Sequence, residues 1–146
     1  MPIVKGCNIP DNLLYDVDNH IWFQEQPDGT VKIGMTTVAT AMAGQLVAFT
    51  PKKVGRSVDA GKSCATVESG KWVGPAKSAA AGSVVKVNDD LIASPQIANQ
   101  DPYDKGWFLI LQPSNWDAVK PTLTPGSQVT AKYEAKMNAD GFAGCA

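Results

Sequence analysis

The sequence is poor in the residues that most catalytic and metal sites use. Of its 146 residues one is a histidine, His20, and three are cysteines, Cys7, Cys64 and Cys145. The cysteines lie far apart and form no C-x-x-C pair, so a structural zinc site would lack ligands. A nucleophilic serine or cysteine would have to use His20 as its base, and no nucleophile turn is visible. We therefore expect no catalytic residue, no metal site and no enzyme.

Other absences exclude whole classes of protein. Lysine plus arginine number 13 and aspartate plus glutamate 14, so the chain lacks the excess of positive charge that nucleic-acid binding requires. No Walker loop or G-x-G-x-x-G motif is present. No apolar run approaches the roughly 18 residues of a membrane span, and no apolar signal-peptide core begins the sequence. The sequence predicts a cytoplasmic monomer with one core, without a nucleic-acid or membrane partner.

The cysteine count favours free thiols. An odd number of cysteines argues against a disulfide framework, and the absence of a signal peptide favours a reducing compartment. We predict that Cys7 and Cys145 are thiols at frayed chain ends, with pairing as the alternative. Cys64 is predicted to pack in a β arm. His20 is predicted to pack or cap at the start of a strand.

Glycine and proline punctuate short apolar runs, a pattern typical of a mainly β domain. Pro27, Asp28 and Gly29 predict a hairpin turn, and Gly44 predicts the end of a short helix that Thr36 or Thr37 caps. The other expected elements are a strand from 46 to 49, β arms between 54 and 88, a short helix opened at 94–95, a buried strand over 107–111, a helix over 128–138 and a loose end in the last eight residues.

Several short motifs occur together in a specific order. They are His20-Ile21-Trp22, the segments 33–36, 67–71 and 101–107, Gly82, and Pro113-Ser114. In this order and spacing, over residues 20–116, the chain resembles the glycine cleavage system H protein family. The resemblance implies a lipoyl-domain-like fold, a barrel-sandwich hybrid of two small antiparallel sheets with short helices and a C-terminal helix. It divides the chain into an N-terminal extension (1–19), the lipoyl domain (20–116) and a helical segment packed on it with a loose end (117–146).

The resemblance also implies that Lys71 carries lipoic acid in amide linkage at the tip of a hairpin. Such a lysine projects a long stem into water, and acylation removes its charge and leaves a dithiolane on a flexible tether. Glu68 and Ser69 precede it as the family motif requires. Gly70 and Trp72 flank it where the family has valine and alanine types, and Trp72 would lie beside the dithiolane. A lipoate-attaching enzyme is the first expected partner.

Two departures bear on the cargo of the arm. The family has a glutamate where this chain has Ile21, and usually an aspartate where it has Pro75. In the family these carboxylates hold a cationic aminomethyl group, and such a contact is worth on the order of 1 to 4 kcal/mol. The motif around Lys71 is similar to that of lipoate-binding proteins in the heterodisulfide-reductase-like pathway of sulfur oxidation. We therefore expect an arm that carries sulfur intermediates for such a complex, with dihydrolipoyl dehydrogenase as a further partner.

Two alternatives stay open. The chain could be a glycine cleavage H protein that carries the aminomethyl group of glycine between the glycine cleavage enzymes. It could also be an unlipoylated scaffold that binds a partner through a sheet surface.

Overall fold

The computed structural model describes residues 3–145, which form a mainly β fold. The strands are β1 (Ile3–Val4), β2 (Cys7–Asn8), β3 (Leu14–Asp16), β4 (Ile21–Glu25), β5 (Val31–Met35), β6 (Leu46–Pro51), β7 (Ser57–Val58), β8 (Lys62–Ser69), β9 (Val73–Ser78), β10 (Gly82–Val87), β11 (Leu109–Pro113) and β12 (Thr124–Pro125). The helices are α1 (Thr37–Ala43), α2 (Asp89–Ala93), α3 (Ile97–Gln100), α4 (Trp116–Val119) and α5 (Thr130–Ala139). None of these helices is both long and apolar enough to cross a membrane.

The strands form antiparallel sheets, which confirms the predicted class. A seven-stranded sheet has the order β12-β3-β4-β5-β11-β10-β7, a three-stranded sheet has the order β6-β8-β9, and β1 pairs with β2. The prediction of two small sheets was too simple, because the described residues form three and one of them is large. Strands β3 and β12 come from the two flanking segments and pair with each other at the edge of the large sheet. The division at residues 19 and 116 stays a prediction.

Local signals predicted the β4–β5 hairpin correctly. Strands β4 and β5 form the predicted hairpin, with Ile21 opposite Met35. Gly29 takes a φ of +86° in its turn, and the carboxylate of Asp28 accepts hydrogen bonds from the backbone N–H and the hydroxyl of Thr30. These are the turn contacts expected of an aspartate-glycine pair.

The main core includes β11, which lies beside β5, the central strand of the large sheet. Leu109 and Leu111 are fully buried in it, and Phe108 packs against Phe49 with ring centroids 4.7 Å apart. The strand begins at Leu109, two residues later than the predicted start at 107. Trp107 is half-buried outside the strand, where the ammonium of Lys32 lies 5.5 Å from its ring.

A second core joins the two ends of the chain, and here two predictions were wrong. Cys7 and Cys145 form a disulfide instead of being free thiols, and the N–H of Cys145 donates a hydrogen bond to the carbonyl of Lys5 at 3.0 Å. The predicted loose end is therefore held as far as Cys145, and Ala146 lies outside the described residues. The partners are 138 positions apart, a separation at which no local pattern operates.

The packing prediction for the third cysteine is confirmed. Cys64 lies on β8 with no exposed surface, and burial raises the pKa of its thiol to about 12. A buried thiol of this kind behaves as a small apolar side chain.

Candidate functional site

Lys71 lies at the tip of the hairpin that connects β8 to β9. The N–H of Ser69 donates to the carbonyl of Trp72 at 2.8 Å and closes the turn. The hydroxyl of Ser69 accepts a hydrogen bond from the N–H of Lys71 at 3.3 Å. Ser69 is buried and therefore holds the turn from inside, while Lys71 and Gly70 are exposed. The hairpin holds the lysine at an exposed tip, as the resemblance described above implies.

The two other residues of the predicted motif lie on opposite sides of the turn. Glu68 is an exposed residue of β8 opposite Val73, and it makes no ion pair within residues 3–145. Trp72 keeps 41% of its surface exposed, and its ring covers Gly74 so closely that a Cβ there would collide with it. The absence of a side chain at Gly74 therefore leaves room for the indole of Trp72.

The side chain of Lys71 lies against the C-terminal end of α1. Thr36 caps the start of this helix through its hydroxyl, and Gly44 ends it with a φ of +86°, both as predicted. A Cβ placed on Gly44 would lie 3.3 Å from Cε of Lys71 and 4.0 Å from its Nζ. The absence of a side chain at Gly44 thus leaves room for the lysine stem. We call this place, against Gly44 at the end of α1, the seat of Lys71.

A cavity of about 630 Å³ opens beside the lysine. It lies between the β3–β4 turn, α1 and the β8–β9 hairpin. It is lined by Asp18, Asn19, His20, Ile21, Met35, Ala39, Met42, Ala43, Lys71, Trp72, Pro75, Ala76 and Lys77. Its volume is typical of a small-molecule site, and its walls are mainly apolar. An apolar dithiolane on a lysine stem fits these residues.

Sequence reasoning found part of this cavity and missed the rest. It singled out Ile21, Trp72 and Pro75, and all three line the cavity. It missed Asp18 and the residues of α1. The α1 residues have a signal that could have identified them, because 39, 42 and 43 have the i, i+3, i+4 spacing of one helix face.

His20 lies directly before β4 and packs as predicted, but it also lines the cavity. Its φ of +57° is uncommon outside glycine, and the N–H of Thr36 donates to its carbonyl at 3.0 Å. The ring stacks on Tyr133 of α5 with centroids 5.9 Å apart. Within residues 3–145 no group pairs with its buried Nδ1. Burial lowers the pKa of His20, and so does nearby Lys136, so the imidazole is neutral near pH 7.

The half-buried imidazole of His20 predicts a loss of stability on mild acidification. The unfolded chain binds a proton near the ordinary histidine pKa of 6.5, whereas the folded chain binds it at a lower pH. The free energy of unfolding should therefore fall as the pH drops through 6.5 and level off below the folded pKa. Urea unfolding at about pH 7.5 and about pH 5.5 measures this difference, and H20Q should lack it. The pKa values of Glu25 and Asp28 are lowered by hydrogen bonds, from Trp116 and Thr30 respectively, so both carboxyls titrate below this window.

Comparisons with known proteins agree with this architecture. The family described as Glycine cleavage H-protein matches residues 13–136. The chain is 46% identical to glycine cleavage system H protein 5 of Aquifex aeolicus, over 88% of both chains. It is 38% identical to probable glycine cleavage system H protein 2 of Sulfurisphaera tokodaii, over 96% of this chain and 95% of the relative. The crystal structure of a glycine cleavage system H protein from Mycobacterium marinum superposes with a TM-score of 0.73 at 34% identity, covering 90% of this chain and 99% of that one.

Proteins of this family carry lipoic acid covalently on a lysine and have no catalytic activity of their own. The match spans most of the chain, and both relatives exceed 30% identity over nearly their whole length. The chain belongs to the glycine cleavage H-protein family of lipoyl carriers.

Proposed function

We propose that Lys71 is the lipoylated residue and that the arm carries a covalent intermediate between partner enzymes. One observation supports this most: Lys71 lies at an exposed hairpin tip directly beside an apolar cavity of about 630 Å³. When bound, lipoic acid supplies reversible dithiol–disulfide chemistry on a tether. The protein supplies the acceptor amine, the turn built on Ser69 and a place where a loaded arm is shielded from water. A cytoplasmic location and a monomeric state are further parts of this proposal.

The cargo that the relatives favour is the aminomethyl group of glycine. The relatives and the solved structure named above are called glycine cleavage system H proteins. The cavity also offers one carboxylate, that of Asp18, as a partner for a cationic amine. On this proposal the partners are the glycine cleavage enzymes and a lipoate-attaching enzyme.

A second candidate cargo is sulfur, and one observation favours it. Ile21 and Pro75 stand in the cavity wall at the two places where the family pattern described above has carboxylates. Trp72 adds an apolar face, and Lys77 adds a positive charge that disfavours an amine. None of the relatives named above carries the name of a sulfur-oxidation protein. We therefore rank sulfur, with a heterodisulfide-reductase-like partner, below the aminomethyl group as the proposed cargo.

A loading assay separates the two cargoes. Protein from its native host is first checked by intact mass and peptide mapping, where we expect a lipoyl adduct on Lys71. The purified chain is then incubated with glycine and a glycine decarboxylase, and the aminomethyl adduct is followed by mass. Loading at the rate of an ordinary H protein would overturn the sulfur candidate. A lipoylated arm that never takes up the aminomethyl group would overturn the glycine candidate, and an unmodified Lys71 in a host that lipoylates other proteins would leave the scaffold alternative.

A substitution in the cavity wall sharpens this assay. Pro75→Asp restores an exposed carboxylate on β9, next to the arm. If the cargo is an amine, the added contact should raise retention of the aminomethyl adduct about fivefold, which corresponds to about 1 kcal/mol for a solvated ion pair. Val73→Asp is the matched control, because Val73 is exposed on the same strand but does not line the cavity. Equal retention of the adduct in both variants would contradict binding of the aminomethyl amine beside residue 75.

A further inference from the structure

Asn99 of α3 connects to a distant turn through both ends of its amide. Its Nδ2 donates a hydrogen bond to the carbonyl of Gly44 at 3.0 Å. Its Oδ1 accepts one from the N–H of Leu46 at 2.9 Å. A single side chain thus holds two backbone groups of the turn between α1 and β6.

The turn that Asn99 holds is the seat of the Lys71 stem. Gly44 combines a φ of +86° with a ψ of −173°, a conformation that is essentially restricted to glycine. Its N–H donates to the carbonyl of Thr40 at 3.0 Å, so Asn99 and α1 fix its two peptide groups from opposite sides. Glycine is flexible enough to leave this conformation, so the turn keeps its geometry only where surrounding contacts hold it. Without Asn99 the peptide before Gly44 would keep its bond to Thr40, and the carbonyl of Gly44 would lose its bond to the amide.

We propose that Asn99 is a positioning residue for the lipoyl arm. Its amide fixes Gly44 so that the stem of Lys71 lies along the end of α1, and α1 forms one wall of the cavity. The arm therefore leaves the hairpin in the direction of the cavity and not of bulk water. A looser turn would shift the arm from its seated position to free solution, although Asn99 itself does not line the cavity. This inference rests on the proposed lipoylation of Lys71.

The test measures arm mobility in the lipoylated protein. Lipoylation converts Nζ of Lys71 to an amide, and ¹⁵N relaxation of that amide reports its motion on the picosecond-to-nanosecond timescale. In the wild type we expect restricted motion. In N99A the seated population should fall about two- to tenfold, the effect of losing net hydrogen bonds of ordinary strength. The rate at which a lipoamidase releases the arm should rise by a similar factor.

Two further variants separate positioning from general stability. N99D keeps the acceptor for Leu46 but loses the donor to Gly44, so it should free the arm partially. Asn88 is the matched control, because its amide donates to the carbonyls of Lys105 and Trp107 at 2.8 and 2.7 Å, away from the seat. N88A should lower thermal stability and leave arm motion unchanged.

The possible outcomes are distinct. Equal arm motion in lipoylated N99A and wild type would overturn the role of Asn99 and leave the carrier proposal intact. Equal loosening in N88A and N99A would also overturn it, because the effect would then be global. A lipoyl group mapped to another lysine would instead overturn the carrier assignment of Lys71, and the inference with it.

Discussion

Replacing Lys71 with arginine is expected to give a folded protein that cannot be loaded. Arginine keeps the positive charge and a long stem, but its guanidinium is not an acceptor for the acyl group. Lys71 is exposed, and the turn around it is held by backbone groups and Ser69, so the fold should not change. Incubation with lipoate, ATP and a lipoate-attaching enzyme should add no mass. Carrier activity should fall to background in whichever transfer reaction the wild type supports.

The matched control is Lys77→Arg. Lys77 is also exposed, lies on the same hairpin and lines the same cavity. If Lys71 is the acceptor, the Lys77→Arg protein should gain the same lipoyl mass as the wild type. A lipoyl adduct that persists in Lys71→Arg, or that disappears in Lys77→Arg, would show that the wrong lysine was chosen.

The second large effect is expected from the bond between the chain ends. Replacing Cys7 and Cys145 together with serine should lower the free energy of unfolding by about 2–5 kcal/mol. The bond joins residues 138 positions apart, so its loss frees nearly the whole unfolded chain from closure. Cys7 is also completely buried, so a serine hydroxyl there adds a desolvation cost. Urea unfolding of the unlipoylated double variant measures the difference.

The control for this experiment is the unlipoylated wild type in the presence of a reductant. Without the lipoyl group, the reductant acts on the Cys7–Cys145 bond alone, and Cys64 is already a thiol. Reduced wild type should therefore approach the midpoint of the double variant. Unchanged midpoints in both samples would contradict a stabilising role for the bond. If the reduced wild type stays as stable as the oxidised one, the serine substitutions themselves, and not the loss of the bond, would account for the lower free energy of unfolding of the double variant.

The Cys7–Cys145 bond bears on the sequence argument that a reducing compartment would leave the thiols free. Intracellular disulfides are uncommon in mesophiles but frequent in hyperthermophilic bacteria and archaea. An odd cysteine count did not exclude a pair, because Cys64 lies in the core and the two chain ends meet on α1 and α5. Composition therefore carried little information about which thiols pair.

The sequence by itself determined the parts of this protein that depend on neighbouring residues. The turn at Gly29, the helix cap at Thr36 or Thr37 and the helix end at Gly44 follow from backbone preferences over a few neighbouring positions, whereas the hairpin tip at Lys71 followed from the family resemblance. The order and spacing of the motifs carried the resemblance to the family, and through that resemblance they predicted the lipoyl cofactor. The cargo did not follow in this way, because it depends on which side chains face the arm.

The tertiary structure decided everything that brings distant segments together. It placed His20, α1 and Pro75 around one cavity, paired β3 with β12, and joined Cys7 to Cys145. It also set the amide of Asn99 on the turn that seats Lys71, across more than fifty residues of chain. The physical reason is that hydrogen bonds and side-chain packing act over a few ångströms in space, whatever the separation along the chain, and a single sequence does not record which distant residues come within that range.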